Sequence, residues 1–154
     1  MKIIAISGGK NTNKEKLAFR LSENSDVDYI KPYTDREIPI NMEFYEQDDL
    51  IHLNPKQLSS KMEREIPLVV SNVNGNRYVF FQTQLRAEYC VMVLDDAGIF
   101  NLKKNWDGEI ITVRVHSKNE KPSPRVLMND GEYDLVYDCE NDDYHDLETA
   151  IEYR

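Results

Sequence analysis

Lys2–Ile6 (KIIAI) is a short run of mostly β-branched apolar residues that stops at Ser7-Gly8-Gly9, just ahead of a helical stretch over Lys14–Glu23 (KEKLAFRLSE). A buried strand, a glycine turn and then a helix form the corner from which parallel α/β sheets are built. Leu17 and Leu21 stand at i, i+4 in that helix, on one face. The alternation continues along the chain. Val27–Ile30 is a second apolar run, and Tyr89–Leu94 (YCVMVL), the most apolar run, predicts a central strand. Ala97–Lys104 reads as a helix, Ile110–Val115 (IITVRV) and Tyr133–Tyr137 (YDLVY) as strands, and Asp143–Tyr153 as a closing helix carrying Leu147 and Ile151. Strands alternating with helices imply an α/β fold with a parallel sheet and helices on both faces, with strand ends gathered along one ligand-binding edge. Between Pro32 and Leu85 the rhythm breaks. That stretch is more polar and alternates around Asn76–Gln82 (NRYVFFQ), which predicts an inserted lobe of one helix and short antiparallel strands.

With 154 residues the chain is one domain with room for a core. Its hydrophobic share of 40% against 31% charged separates it from disordered chains. No apolar run approaches the ~20 residues of a membrane helix. The opening MKIIAISGG is too short for a secretory core of about 7–15 apolar residues. Cys90 and Cys139 lie far apart in or beside strands and are expected as free thiols, which fits a reducing, cytoplasmic setting. A net charge of −9 argues against broad nucleic-acid binding, which needs a basic surface. Acids recur from Asp130 to Glu152 with Arg154 the only base, forming either a solvated surface or a face for a basic protein partner. His52, His116 and His145 are scattered and show no ligand spacing.

The turn after the first strand reads Gly8-Gly9-Lys10-Asn11-Thr12-Asn13-Lys14-Glu15, against the phosphate-loop pattern G-x-x-x-x-G-K-[ST]. Gly8 and Lys14 hold the required spacing. Asn13 stands at the second glycine, where asparagine tolerates positive φ, and Glu15 stands at the hydroxyl position. Gly8, Gly9, Asn11, Thr12, Asn13, Lys14 and Glu15 are therefore the candidate nucleotide-binding set. Backbone amides and the helix start would cradle phosphate, and Lys14 would reach its oxygens. Glu15 would either hold Mg²⁺ or compete with phosphate. A strand–turn–helix corner with no ligand also satisfies the pattern. Asp95-Asp96 ends the apolar strand Tyr89–Leu94 as a metal-orienting acid would, and also as an ordinary turn would.

Taken in order, these pieces resemble guanylate kinase over nearly the whole chain. Tyr33-Thr34-Asp35-Arg36-Glu37-Ile38-Pro39 is similar to the family's T-T-R-x-P segment, and Asn74-Gly75-Asn76-Arg77-Tyr78 to its G-N-Y-Y-G turn. Val93-Leu94-Asp95-Asp96-Ala97-Gly98 resembles D-I-D-x-Q-G. Glu132-Tyr133-Asp134-Leu135-Val136 resembles E-Y-D-Y-V, and Asp142-Asp143 with Leu147-Glu148 resembles N-D-D-L-E. The resemblance implies a three-layer P-loop NTPase-type fold. Its core would be residues 1–32 and 86–154, its monophosphate-binding lobe about 33–85, and its reduced lid about 117–128. It implies ATP and Mg²⁺ as cofactors. Lys14, Asp95 and Arg125 become catalytic candidates, Thr34, Arg36, Tyr78 and Asp95 acceptor-binding candidates, and Glu15, Asp95 and Asp96 metal candidates. Surface salt bridging for Arg36, core packing for Tyr78, and a solvated loop for Arg125 and Lys121 remain open alternatives.

The departures from the family pattern are specific. The second phosphate arginine is missing, and Ile38, Pro39 and Ile40 fill its stretch. The guanine-reading glutamate falls near Val69, and the first aspartate of D-I-D is Val93. Two readings follow. One is an enzyme that transfers the ATP γ-phosphoryl group to a nucleoside or deoxynucleoside monophosphate, compact and phage-like in its economy. The other is an inactive relative that acts as a binding module through nucleotide or protein, with the acidic C-terminal face as its interaction surface.

Overall fold

The computed structural model describes residues 1–37, 50–124 and 128–154. The strands are β1 Lys2–Gly8, β2 Val27–Tyr29, β3 Tyr33–Thr34, β4 Ile51–His52, β5 Pro67–Val73, β6 Asn76–Phe81, β7 Tyr89–Val93, β8 Glu109–His116 and β9 Leu135–Asp138. The helices are α1 Lys14–Leu21, α2 Pro55–Arg64, α3 Asp96–Asn105 and α4 Tyr144–Glu152. Two sheets result. A parallel sheet runs β2-β7-β1-β8-β9, and a second sheet runs β4-β3-β6-β5.

Tyr89–Val93 is β7, an interior strand between β2 and β1, and β1 is the middle of the sheet. β1 pairs with β7 from Lys2↔Tyr89 to Ile6↔Val93 and with β8 from Lys2↔Glu109 to Gly8↔Val115. Its pleat divides the core. Ile4 and Ile6, with Val91, Ile111, Val113 and Val115, face Leu17, Ala18 and Leu21 of α1 and Leu147 and Ile151 of α4. Ile3 and Ala5, with Cys90 and Met92, face Ile99 and Leu102 of α3 and Leu68, Val69 and Phe80 of the second sheet. Helices thus cover both faces, as a parallel sheet requires.

The second sheet is mixed rather than antiparallel throughout. β5 and β6 form an antiparallel hairpin and β3 runs antiparallel to β6, but β3 and β4 are parallel. The hairpin turns at Asn74 and Gly75, both at positive φ (51° and 84°), the residue types a primed turn selects. Alternate β6 residues Val79 and Phe81 pack on Leu58 of α2 as a separate small core. α2 begins with Asn54 and Gln57 capping each other and Pro55 at its first turn.

Among the described residues, three side chains tie this lobe to the rest of the fold by hydrogen bonds. Asn101 and Asn105 of α3 bond the outer edge of β5, through Val70 N at 3.1 Å and Leu68 O at 2.9 Å. Gln84 Nε2 donates to Lys31 O at 2.8 Å, where the chain leaves the parallel sheet. At the other edge, β9 begins two residues later than the apolar pattern predicts. The reason is that Asp134 accepts from Thr112 N at 2.9 Å and Tyr133 OH donates to Asp96 Oδ1, so both residues are committed sideways before the ladder starts.

Leu102 is fully buried between the sheet and the lobe. Leu102→Ala is expected to cost about 2–5 kcal/mol of unfolding free energy in urea. A loss under about 0.5 kcal/mol, the range of ordinary surface substitutions, would contradict this packing.

Candidate functional site

At the end of β1 the backbone is crowded. A Cβ on Gly8 would lie 2.6 Å from Thr12 Oγ1, and one on Gly9 would lie 2.5 Å from Lys121 O. Both positions therefore need glycine for close approach. Asn11 and Asn13 take left-handed φ of 63° and 60°, so Asn13 does what the second glycine of the pattern would do. Thr12 is buried and its hydroxyl donates to Gly9 O at 3.0 Å. The loop ends at the N-terminus of α1, where backbone N–H groups and the helix dipole favour an anion. Lys14 lies back across the loop. Its Nζ donates to Gly9 O at 3.2 Å and stands 3.8 Å from Glu15 Oε1.

On the lobe, Thr34 is buried and its hydroxyl accepts from Arg36 N at 3.1 Å. Arg36 O takes His52 Nδ1 at 2.8 Å. Next to it, Asp35 accepts from both Nε and N of Arg77, each at 2.8 Å. Burial works to raise the Asp35 pKa, but the bonds and charge of Arg77 outweigh it and hold the carboxyl below its usual value. Arg77 also reaches Pro55 O and Ser59 Oγ of α2. The segment carrying Arg36 is thus fixed from behind, while among the described residues no carboxylate pairs with the Arg36 guanidinium.

These parts meet in a cavity of about 630 Å³ between the two sheets. Gly8, Lys14 and Glu15 line it from the loop, Asp95 from the end of β7, Arg36 and Tyr78 from the lobe, and Ser123 from the segment after β8. Asp95 also caps α3, with Oδ1 accepting from Gly98 N at 2.7 Å. Some sequence candidates fall elsewhere. Asn11 and Asn13 open on a neighbouring recess with residues 118–121. Asp96 is turned away from the cavity and accepts from Met128 N and Tyr133 OH, because the first turn of α3 faces the segment after β8. Thr34 supports Arg36 from below rather than lining the cavity. Arg125, Ile38, Pro39 and Ile40 lie outside the described residues.

No family model matches the sequence and no curated protein matches it. Among solved structures it is similar to the guanylate kinase of Anaplasma phagocytophilum, with a TM-score of 0.63 over 98% of this chain and 81% of that chain, at 16% sequence identity. The fold is guanylate kinase-like.

Within this guanylate kinase-like fold, several side chains at the site were not singled out in the sequence. Ser71 stands opposite Tyr78 in the hairpin and shares the cavity with it. The alternation of β5 and β6 carries that signal. Arg77 follows a turn sequence, which gives no sign of its pairing with Asp35. Arg114 is buried at 8% exposure near the end of β8, bound by Glu120, and His116 bridges Glu120 and Asp130. A lone arginine inside the strand IITVRV was the available signal, since a buried charge needs a partner. Cys90 and Cys139 are free. The acidic run is partly spent within the chain: Asp130 on His116, Asp134 on Thr112, Glu140 on Ser117, and Asp143 as the cap of α4.

Arg77→Met removes the cation but leaves Asp35 in its place, so the Asp35 pKa is expected to rise from its lowered value. A carboxyl-carbon NMR titration reads this shift, and an Asp35 titration identical in the two proteins would contradict the pairing. In the wild type the stabilisation from Asp35 is present above its unfolded pKa and is lost as the pH falls through the lowered folded value.

Proposed function

We propose that the chain transfers the γ-phosphoryl group of ATP, bound with Mg²⁺, to a nucleoside or deoxynucleoside monophosphate held by the inserted lobe. The observation that carries this reading is the shared cavity, which exposes a lysine-bearing phosphate loop on one wall and Arg36 and Tyr78 on the other. Phosphoryl transfer asks the protein mainly for positioning and charge stabilisation, and two opposed phosphate-binding walls supply both.

The donor fits the cradle of Gly8, the α1 amides and Lys14, whose ammonium would exchange Gly9 O for phosphate oxygen. The metal, bound through donor phosphates, would neutralise charge on the transferring group. Glu15 and Asp95 both line the cavity and are its carboxylates among the described lining residues, in keeping with the one or two that Mg²⁺ takes beside phosphate. Arg36 would grip the acceptor phosphate with its planar fork, and Tyr78 would donate its hydroxyl to the same group. Asp95 would orient the acceptor side, and Arg125 would neutralise developing charge. A cytoplasmic location and a compact, phage-type form of the fold belong to the same reading, supported by the free cysteines and the short segment between β8 and β9.

One observation favours a second reading. Lys14 is already engaged by Gly9 O and neighboured by Glu15, so the loop carries its own anion at the seat. On that reading the chain is a non-catalytic binding module, for which the acidic C-terminal face would serve a protein partner.

Calorimetry with ATP, with and without Mg²⁺, separates the two. The kinase reading expects Mg²⁺-dependent binding that Lys14→Ala abolishes. With a monophosphate acceptor it also expects Arg36→Ala to lower turnover by about 10²–10³, the usual loss for one stabilising contact. Absence of ATP binding at millimolar nucleotide would refute the kinase reading.

A further inference from the structure

The segment that follows β8 is bound to the phosphate loop. Lys10 N donates to Lys121 O at 3.1 Å and Lys121 N donates back to Lys10 O at 2.9 Å, a two-residue bridge outside either sheet. Beside it Gly9 N donates to Glu120 Oε1 at 3.4 Å. Further along, Met128 N is held by Asp96. The described part of this segment is therefore anchored at both ends.

Glu120 is itself fixed by three groups. Arg114 Nη2 donates to Oε1, the oxygen that also takes Gly9, and His116 Nδ1 lies 2.7 Å from Oε2. The other ring nitrogen of His116 lies 2.9 Å from Asp130 Oδ1. An imidazole facing a carboxylate on each nitrogen makes both bonds only as the cation, since the neutral ring has a single N–H. Arg114 Nη1 is tied down on Val115 O at 3.1 Å, which sets the guanidinium at the strand end under the loop.

The loop needs outside support. Asn11 and Asn13 are both left-handed, a conformation that asparagine tolerates but does not fix by itself. Inside the loop, the Thr12 hydroxyl and Lys14 converge on the single carbonyl of Gly9. The bonds that fix Gly9 and Lys10 from outside come from Glu120 and Lys121.

We propose that Glu120 is a positioning residue of the phosphate loop, which with Arg114 and the His116 cation braces Gly9 and Lys10 and keeps the left-handed turn beyond them in its anion-receiving shape. The functional weight of this rests on the reading of that loop as a nucleotide seat, while the brace itself does not. It follows that the brace answers to pH. Burial works against the His116 cation, but its bonds to Glu120 and Asp130 prevail and its pKa is raised. Of the other charges near the ring, Arg114 opposes the cation. Asp138, its register partner on β9, and Glu140 beyond it are acidic. Lys118 and Lys121 flank Glu120, and Glu132 follows Asp130. The Cys139 thiol, on His116 O, is pushed up by burial. A raised pKa means that the brace is complete below the ordinary histidine value, and that His116 gives up its charge and one of its two bonds as pH rises through the folded one, which weakens the brace while Arg114 stays on Glu120.

The test is amide exchange by NMR on the full chain without nucleotide, expressed as protection factors for Gly9 and Lys10 between pH 6 and 9. Protection is expected to fall as His116 loses its proton, by at most about tenfold for each unit by which the brace raises that pKa. His116→Gln, which cannot titrate, is expected to flatten this profile while α1 and β1 keep their protection. Glu120→Gln keeps one acceptor oxygen for Gly9 but loses the charge pairing, and is expected to lower protection at pH 6. A Gly9 and Lys10 profile that is flat in the wild type, or unchanged in His116→Gln, overturns the proposal. ATP–Mg²⁺ titration of the same proteins separates the layers. Binding whose pH dependence is reduced in His116→Gln supports the brace as a regulator of the seat. Exchange that follows the brace with no ATP binding at any pH leaves the brace standing and removes the nucleotide reading.

Discussion

The pairing of β1 with β7 on one side and β8 on the other sets the position of everything at the site. Because the three strands are parallel and in register, their C-terminal ends come together, and each delivers a different chemical group to the same edge. β1 delivers a glycine turn with backbone amides, β7 delivers Asp95, and β8 delivers Arg114 and the segment that presses on the turn. The apolar content of β1 on both faces stabilises its central place, and a central strand is where a sharp turn into a helix has neighbours on both sides to hold it.

The second wall depends on a different balance. Among the described residues the lobe has a small core of its own around Leu58, Val79 and Phe81, and it places Leu68, Val69 and Phe80 on the shared core with α3. Asn101 and Asn105 cover the outer edge of β5, so an open strand edge is occupied by side-chain amides from α3. The Asp35–Arg77 pair then fixes the segment that presents Arg36. Arg36 thus lines the cavity on a segment fixed by groups that do not themselves line it.

The strand and helix order was legible because apolar runs and glycine turns report directly on local backbone choice. Gly8, Lys14 and Asp95 could be placed at one edge from that order alone, since parallel strands leave few ways to arrange their ends. The position of β1 at the centre was not legible, because composition measures burial and both β1 and β7 are buried. Asp96 looked equivalent to Asp95 in sequence, yet one residue along a starting helix turns the side chain by about 100°, enough to take it from the cavity to Tyr133. The brace under the loop escaped for another reason. Arg114, His116, Glu120 and Asp130 are individually unremarkable, and their meaning lies in contacts that join a strand, a loop and a 3₁₀ turn. Arg114 alone carried a hint, as a charge inside an apolar strand.

In the proposed function the loop after β1 and the lobe form two halves of one site. A bisubstrate probe, adenosine joined to a deoxynucleoside through five phosphates, tests this most directly by calorimetry. One molecule is expected to bind per chain, at least about 10²-fold tighter than ATP alone because the second half binds intramolecularly, and weakened by both Lys14→Ala and Arg36→Ala. Binding no tighter than ATP and indifferent to Arg36→Ala would contradict it, and would mean that the two walls face one cavity without acting on one ligand.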